Sequence, residues 1–413
     1  MRILFLPHRL PFPPHKGDKI RALNILRHLA KHHEVLLACP IDDPADLEHL
    51  ATVRALTSEL VYEPIRPALR KAAALFTALP RGRSITAACF HCKPLQQRVD
   101  ALIGRERVDA VLCYSSCMAE YVFRSRQRAQ LHAMPKVMDL IDVDSLKWRQ
   151  YAERCPAWAR PIYRYEASRL EQLEQRIARE FDRILVVSEQ EARHFPQDVA
   201  RAKLAPMGNG VDLEFFAPRA PARPHATPRL VFSGVMDYWP NIEGITWFAE
   251  KVLPLVQQEV PGTELCIVGN RPAPAVRRLA HRPGVVVTGY VEDMRDYVAS
   301  AAVCIAPLRI ARGIQNKVLE AMAMARPVVA STQAHEGLVA RPGRDLEVAD
   351  DAAAFAAATV ELLRNPGRAA ALGQCARACV ERHYAWGEQL RLLDEIFPPD
   401  QSIQAGKLVS ARK

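Results

Sequence analysis

Short apolar runs alternate with longer stretches of helical period along nearly the whole chain. "RILFLP" at 2–7 is followed by an amphipathic stretch over 17–31 and by "EVLLACP"; "VDAVLCYSS", "KVMDLID" and "DRILVVS" continue the series. Unbroken apolar runs between turn residues are strands buried on both faces, and their alternation with helices predicts a parallel sheet covered on both sides. Residues 145–180 read as one or two long helices with many Arg, Trp148 and Trp158. The pattern breaks over 209–228, a Pro-rich stretch opened by the turn pair Asn209-Gly210, which reads as a linker. A second series then starts afresh with "RLVFSG", "ELCIVG", "GVVVTGYV", "AVCIAPL" and "RPVVAS".

The 413 residues exceed one ordinary core and suit two. The expected architecture is therefore α/β: two tandem Rossmann-like, doubly wound domains facing a central cleft. Their predicted extents are 1–208 and 229–385. A helix over 386–399 is expected to return toward the first domain, and 400–413 to form a flexible tail.

Charge and cysteines narrow the partners. A formal net charge of +10 points to an anionic partner. No nucleic-acid-binding signature accompanies it, which leaves a phosphorylated small molecule or an acidic bilayer surface. No apolar stretch approaches the ~18 residues that span a bilayer. "MRILFLPHRLPFPP" is broken at Pro7 and His8 and lacks a small-residue cleavage site, so the expected location is cytoplasmic. The 10 cysteines are spread through apolar segments and read as reduced core residues. Only Cys89 and Cys92 have ligand-like spacing, and no second pair completes a zinc site.

Three strand-like runs of the second series end in glycine, at Gly234, Gly269 and Gly289. Ligands of doubly wound sheets lie beyond the carboxyl ends of the strands, where glycine lets them approach the backbone; tight turns are the other reason for glycine there. The segment "RGIQNKVLEAMAMARPVVAS", 312–331, adds chemistry. Gly313 is taken as the start of a helix, whose unpaired N–H groups attract anions. Arg312 stands at its mouth, and Lys317 and Glu320 share one face. From Arg312 to Glu320 the helix would rise about 12 Å, roughly an extended sugar-diphosphate arm. Cations hold a diphosphate and a carboxylate accepts hydrogen bonds from ribose hydroxyls; a solvent-exposed Lys–Glu pair is the plainer alternative.

These residues resemble a known family. "KVLEAMAMARPVVAS" is similar to the signature segment of glycosyltransferase family 4, which has the two-domain GT-B fold. "NGVDLEFF" resembles that family's linker, and "GYVEDMRDYVASAAVCIAPL", 289–308, the unit before the signature. "PHRLPFPPHKGDKIRALNILRHLAKHHEV" and "MDLIDVDSLKW" are similar to a subgroup encoded with exosortase-associated exopolysaccharide systems. The resemblance spans nearly the whole chain. It implies that Glu320 is the ribose-binding second glutamate of an E-x7-E motif. Arg312 stands where the first glutamate belongs, and "GVMDYWPN", 234–241, lacks the family's usual Arg and Lys. Arg312 and Lys317 are therefore expected to take over the diphosphate, with Gly313, Gly234, Asn241 and Val291 completing the donor site. In the first domain, Gly17 of "HKGDKIR" resembles the family's diphosphate-approaching loop, with charge from Lys16, Lys19 and Arg21.

Catalytic candidates are fewer. Where the family often has a histidine, "CYSSCMAEY" offers Ser115 and Ser116. "DLIDVDS" supplies Asp139, Asp142 and Asp144. Asp142 is the first candidate for an acceptor-side role, with Asp139 and Ser115 beside it; helix capping and salt bridges are the alternatives. The segment 65–83 mixes apolar residues with Arg66, Arg70, Lys71, Arg81 and Arg83, as expected of a helix at an anionic bilayer surface or of a solvated helix rim. The expected function is transfer of a sugar from a nucleoside-diphosphate sugar to a glycan or lipid-linked glycan. The resemblance implies retention and no metal; no cofactor is expected, nor nucleic acid, for which no binding signature is present. A non-catalytic sugar-nucleotide-binding or scaffold protein is the main rival, and an epimerase of the same fold a further one. An oxidoreductase is disfavoured because no G-x-G-x-x-G follows a strand.

Overall fold

Strands β1 (Arg2–Pro7), β2 (Glu34–Ile41), β3 (Glu59–Pro64), β4 (Ala110–Tyr114), β5 (Lys136–Asp139), β6 (Arg183–Val186) and β7 (Leu204–Pro206) form one sheet in the order β3-β2-β1-β4-β5-β6-β7. All its pairings are parallel. β4 is buried along its whole length and β1 from its second residue, as their unbroken apolar sequences require. A second parallel sheet contains β8 (Arg229–Ser233), β9 (Glu264–Val268), β10 (Val285–Gly289), β11 (Val303–Ala306), β12 (Val328–Ala330) and β13 (Glu347–Val348). Its order is β10-β9-β8-β11-β12-β13. In each sheet the chain winds outward and then returns to the far side of its first strand. The order thus reverses between β1 and β4, and between β8 and β11, the places where ligands of such folds bind.

This computed structural model describes residues 1–195, 202–220, 227–311 and 314–399. They divide into two units, Met1–Met207 with the chain from Leu390 onward, and Gly208–Gln389. The helices that matter below are α1 (Gly17–His32), α2 (Pro67–Ala78), α3 (Asp144–Arg154), α4 (Arg160–Glu180), α5 (Trp239–Trp247), α6 (Asn316–Ala323), α7 (Pro366–His383) and α8 (Arg391–Ile396). Each unit has its own core, and among the described residues no helix is long and apolar enough to cross a membrane.

The segments expected as linker and terminal helix are built differently. Val211 is buried in the second core and bridges Ala385, while a Cβ on Gly210 would come within 2.6 Å of Trp386. The 209–228 stretch thus begins as packed structure; its residues 221–226 and the predicted tail 400–413 lie outside the described residues. The single helix expected over 386–399 is two short pieces. Trp386–Gln389 belongs to the second unit, whereas α8 packs on α1 through His28 Nε2 to Asp394 Oδ1 (2.8 Å) and His33 Nε2 to the Phe397 carbonyl (3.2 Å).

Buried carboxylates organise the helix starts of the first unit. Glu174 of α4 accepts from Ser145 N (3.0 Å) and Oγ (2.5 Å) in the first turn of α3. Glu166 accepts from Ser84 Oγ, Ile85 N and Thr86 N at the start of the short helix Ile85–Phe90. Such contacts satisfy N–H groups that helices leave open. Burial pushes the Glu174 carboxyl up to about 8, against the pull of its Ser145 hydrogen bonds.

Candidate functional site

At the carboxyl ends of β8, β9 and β10 in the second unit, three glycines serve three purposes. A Cβ on Gly269 would lie 1.7 Å from the Gly234 carbonyl oxygen, so its absence lets two strand ends pack. A Cβ on Gly234 (φ +152°) would meet Asn241 Nδ2 at 2.8 Å and Lys317 Nζ at 3.3 Å, so here glycine makes room for two polar side chains. Gly289 (φ +70°) has open space around it and is glycine for its left-handed turn.

Asn241, on α5, is buried and oriented by donation from Nδ2 to the Val235 carbonyl (2.8 Å). Its Oδ1 accepts from Lys317 Nζ, and the ammonium lies 4.5 Å from the centre of the Phe232 ring. Lys317 stands in the first turn of α6, which begins at Asn316. The helix start expected at Gly313 is therefore three residues early. The cation at the helix mouth is Lys317 itself, and Glu320 follows within one turn rather than two. Arg312 and Gly313 lie outside the described residues. Val318, Leu319, Ala321 and Met322 bury the other face. The helix then stops at Ala325 in a left-handed conformation, against which Gly373 of α7 packs without room for a Cβ.

Lys317 and Glu320 are half-buried yet crowded by protein on most sides. Burial pushes Lys317 down to about 7, partly offset by Glu320; burial pushes Glu320 up to about 7, partly offset by Lys317. Among the described residues the Glu320 carboxylate has no hydrogen-bond or ion-pair partner. A desolvated ammonium, the open N–H groups of a helix start and an unpartnered carboxylate one turn on form a surface for an anion joined to a hydroxyl-bearing ring. Val291 is half-buried against the second core, beyond the end of β10.

The β1/β4 reversal of the first unit holds residues that the sequence did not single out. Pro7 pairs with Tyr114, so His8 follows at the strand end beside Ser115. His8 Nε2 lies 3.1 Å from Asp18 Oδ2, Arg9 NH1 donates to the same oxygen (2.6 Å), and Arg9 Nε is 2.9 Å from Asp42 Oδ2. The one signal available was the polar pair His8-Arg9 immediately after an apolar strand; that it adjoins β4 is decided by strand order.

Several first-domain expectations change. Gly17 opens α1 and Lys16 precedes it half-buried, but Lys19 and Arg21 do not add charge to this loop. Both are buried, Lys19 Nζ on Asp46 Oδ2 (2.6 Å), and Arg21 on both oxygens of Asp139 and on the Met207 carbonyl (2.7 Å). Asp139, a catalytic candidate, is enclosed by that pair and presents no face to a substrate; burial raises its carboxyl while Arg21 opposes the rise. Ser115 adopts φ +78°, donates its backbone N–H to the Asp139 carbonyl and has Oγ 3.5 Å from Cys117 Sγ. Asp142 follows the left-handed Ile141 and is partly open, 3.3 Å from Lys147 Nζ. Ser116 Oγ donates to Asp144 Oδ2 (2.6 Å). In "CFHC", Cys92 Sγ lies 3.5 Å from the Tyr121 hydroxyl and His91 Nε2 3.0 Å from Gln96 Oε1. Among the described residues no three His, Cys, Asp or Glu side chains gather to hold a metal ion.

Two parallel-sheet Rossmann-like units in tandem are the GT-B architecture, and solved structures of that kind superpose on the chain. The sucrose-phosphate synthase of Thermosynechococcus elongatus does so with a TM-score of 0.70 at 19% identity, over 96% of this chain and 98% of that one. Anabaena Alr3699/HepE, solved in complex with UDP-glucose, has a TM-score of 0.66 at 14% identity, over 96% and 99%. Residues 227–365 match the family model described as Glycosyl transferases group 1, a segment that lies within the second unit. Among curated relatives, a GDP-mannose-dependent monoacylated alpha-(1-6)-phosphatidylinositol monomannoside mannosyltransferase of Corynebacterium glutamicum is 29% identical over 240 residues, covering 52% of this chain and 62% of its own length. An uncharacterized 44.6 kDa protein in the cps region of Klebsiella pneumoniae is 20% identical over 281 residues, covering 66% of this chain and 71% of its own length.

Proposed function

We propose that this protein is a glycosyltransferase that takes a sugar from a nucleoside-diphosphate sugar and passes it to a glycan or lipid-linked glycan. The observation that carries the reading is the convergence of Gly234, Asn241, Lys317 and Glu320 at the β8/β11 reversal. Lys317, with Arg312 five residues before it in sequence, neutralises the diphosphate, and Glu320 accepts hydrogen bonds from the ribose hydroxyls. The group 1 match over the same unit supports this assignment. No metal or cofactor is assigned a part. Asp142 is the acceptor-side candidate of the first unit.

The finer reading is transfer with retention, in exopolysaccharide biosynthesis, on the cytoplasmic face of the membrane. Its support for membrane contact is a stretch with no acidic residue between Glu63 and Asp100. Within it α2 exposes Leu69 and Phe76 beside Lys71, and Arg66, Arg81 and Arg83 are exposed nearby. Flotation with anionic vesicles, and not with neutral ones, is expected. A non-catalytic sugar-nucleotide-binding protein is the second reading, favoured by Arg312 in place of a glutamate.

Thermal denaturation against UDP, GDP, ADP, CMP and NAD tests the main proposal. A ligand at a hundredfold its Kd stabilises the fold by about 2.7 kcal/mol. One nucleoside diphosphate should shift the wild type and not Lys317→Ala or Glu320→Ala. No shift with any of them refutes the reading, while binding without turnover of the matching sugar nucleotide selects the second reading.

A further inference from the structure

The polar residues of α6 act from wherever that short helix is held. Its 8 residues span about 12 Å, too few to be stable alone, so contacts at its two ends decide its placement. The N-terminal end is held through Lys317 by Asn241. At the C-terminal end, Met324 N donates to the Glu320 carbonyl (3.1 Å), Ala325 N to that of Met322 (2.9 Å) and Arg326 N to that of Ala321 (3.0 Å). The Ala323 carbonyl has no such backbone donor, because the residue four places on is Pro327, which carries no N–H.

Arg377 of α7 supplies the missing donor. Gly373, Arg377 and Glu381 recur at intervals of four along α7 and so share one face. Gly373 lets that face close on Ala325, and Glu381 Oε1 orients the guanidinium through Arg377 Nε (2.6 Å). Arg377 NH1 then donates to the Ala323 carbonyl (2.6 Å) and to the Phe216 carbonyl (3.1 Å), with the Leu213 carbonyl 3.4 Å away. The segment that carries these last two is itself anchored at the end of α7, where Val211 N donates to the Tyr384 carbonyl (2.8 Å). One cation thus ties the negative end of α6 to two other parts of the same unit.

We propose that Arg377 is a positioning residue of the nucleotide site, fixing the C-terminal end of α6 so that Glu320 meets the ribose hydroxyls. This rests on the glycosyltransferase reading above. Glu320 stands about one turn from Ala323, whereas Lys317 is nearly two turns away and has its own support in Asn241. Freeing the C-terminal end therefore pivots the helix about Lys317. The ribose contact is lost and the diphosphate contact is kept.

The test is titration calorimetry on the full chain, below the unfolding range of every variant, with UDP, GDP and ADP and their 2′-deoxy and 3′-deoxy counterparts. Wild type should prefer one ribonucleotide over a deoxy counterpart by about tenfold or more, as a hydrogen bond to a carboxylate implies. Arg377→Gln should cut that preference to about threefold or less, while the deoxynucleotide binds within about threefold of wild type. Arg377→Lys keeps a donor for the Ala323 carbonyl and should fall between the two. Tyr384→Phe strands the Val339 N–H elsewhere in the unit, and should lower Tm with the preference unchanged. A wild-type preference in Arg377→Gln overturns the inference, as does an equal loss for ribonucleotide and deoxynucleotide, or a lost preference in Tyr384→Phe as well. If Arg377→Gln does not fold, a wild-type preference in Arg377→Lys overturns it instead. A wild type that binds none of the nucleotides sinks the glycosyltransferase reading itself. One that binds ribonucleotides and deoxynucleotides alike removes Glu320 from the ribose, and the role of Arg377 with it.

Discussion

Replacing Lys317 by methionine keeps most of the side chain's length and removes its charge, so it isolates what the ammonium does. A hydrogen bond between charged partners contributes about 1.5–3 kcal/mol. Two unit charges 4 Å apart interact by about 4 kcal/mol at an effective dielectric of 20 before hydration is repaid. Asn241 and the Phe232 ring already hold Nζ in place, so little ordering opposes the contact. A loss of about 2–3 kcal/mol, roughly thirty- to a hundred-and-forty-fold in Kd for a nucleoside diphosphate, is expected at pH 6.5.

The pH dependence carries the sharper test. Burial holds Lys317 near 7, so wild-type affinity should fall about tenfold per pH unit above that value, with proton uptake on binding. The methionine variant should show no such limb. Folding stability moves the other way for this group. Because its pKa is depressed from 10.5, the lysine's contribution is complete above 10.5 and is lost as pH falls to about 7. Glu320, raised from 4.5, contributes fully below 4.5 and loses that contribution as pH rises to about 7. The ligand-free pair is thus least favourable near neutrality. Isothermal titration from pH 6 to 9 in two buffers of different ionisation enthalpy reads both quantities. Equal affinities of wild type and variant at pH 6.5, or a flat wild-type profile, would refute the reasoning.

Gly234→Ala should weaken nucleotide binding at least tenfold, because its methyl group displaces Asn241 and Lys317; unchanged affinity in a calorimetric titration would show that the two side chains yield freely. Arg21→Met should destabilise the protein by about 3–5 kcal/mol in urea unfolding, by stranding the buried Asp139, and adding Asp139→Leu should restore most of the loss. Glu174→Gln mimics the protonated carboxyl. Since that carboxyl's stabilising protonation is complete below 4.5 and lost through about 8, the variant should match wild type in Tm at pH 5 and exceed it at pH 9. Asp142→Asn should lower turnover at least tenfold with nucleotide affinity kept; full turnover would leave Asp142 with only its Lys147 contact.

Strand–helix alternation was legible along the chain because a buried parallel strand must be apolar on both faces, and the runs "RILFLP" and "VDAVLCYSS" meet that requirement without any knowledge of neighbours. The pairing of Lys317 with Glu320 on one helical face was legible for the same kind of reason, since three residues make most of one turn. The helix start was not, because backbone hydrogen bonding determines where a turn closes, and it closes at Asn316. Nor could spacing distinguish Lys16, left near the surface, from Lys19 and Arg21, whose interior partners Asp46 and Asp139 lie far away in sequence. The place expected to hold a histidine after β4 received one from another strand: His8 stands there because β1 and β4 are neighbours, and strand order arises from long-range pairing. Local periodicity, which repeats within a few residues, thus determined the elements and their buried faces. Which charges are consumed in the interior and which are left to meet a ligand was decided by tertiary contacts between residues distant in the chain.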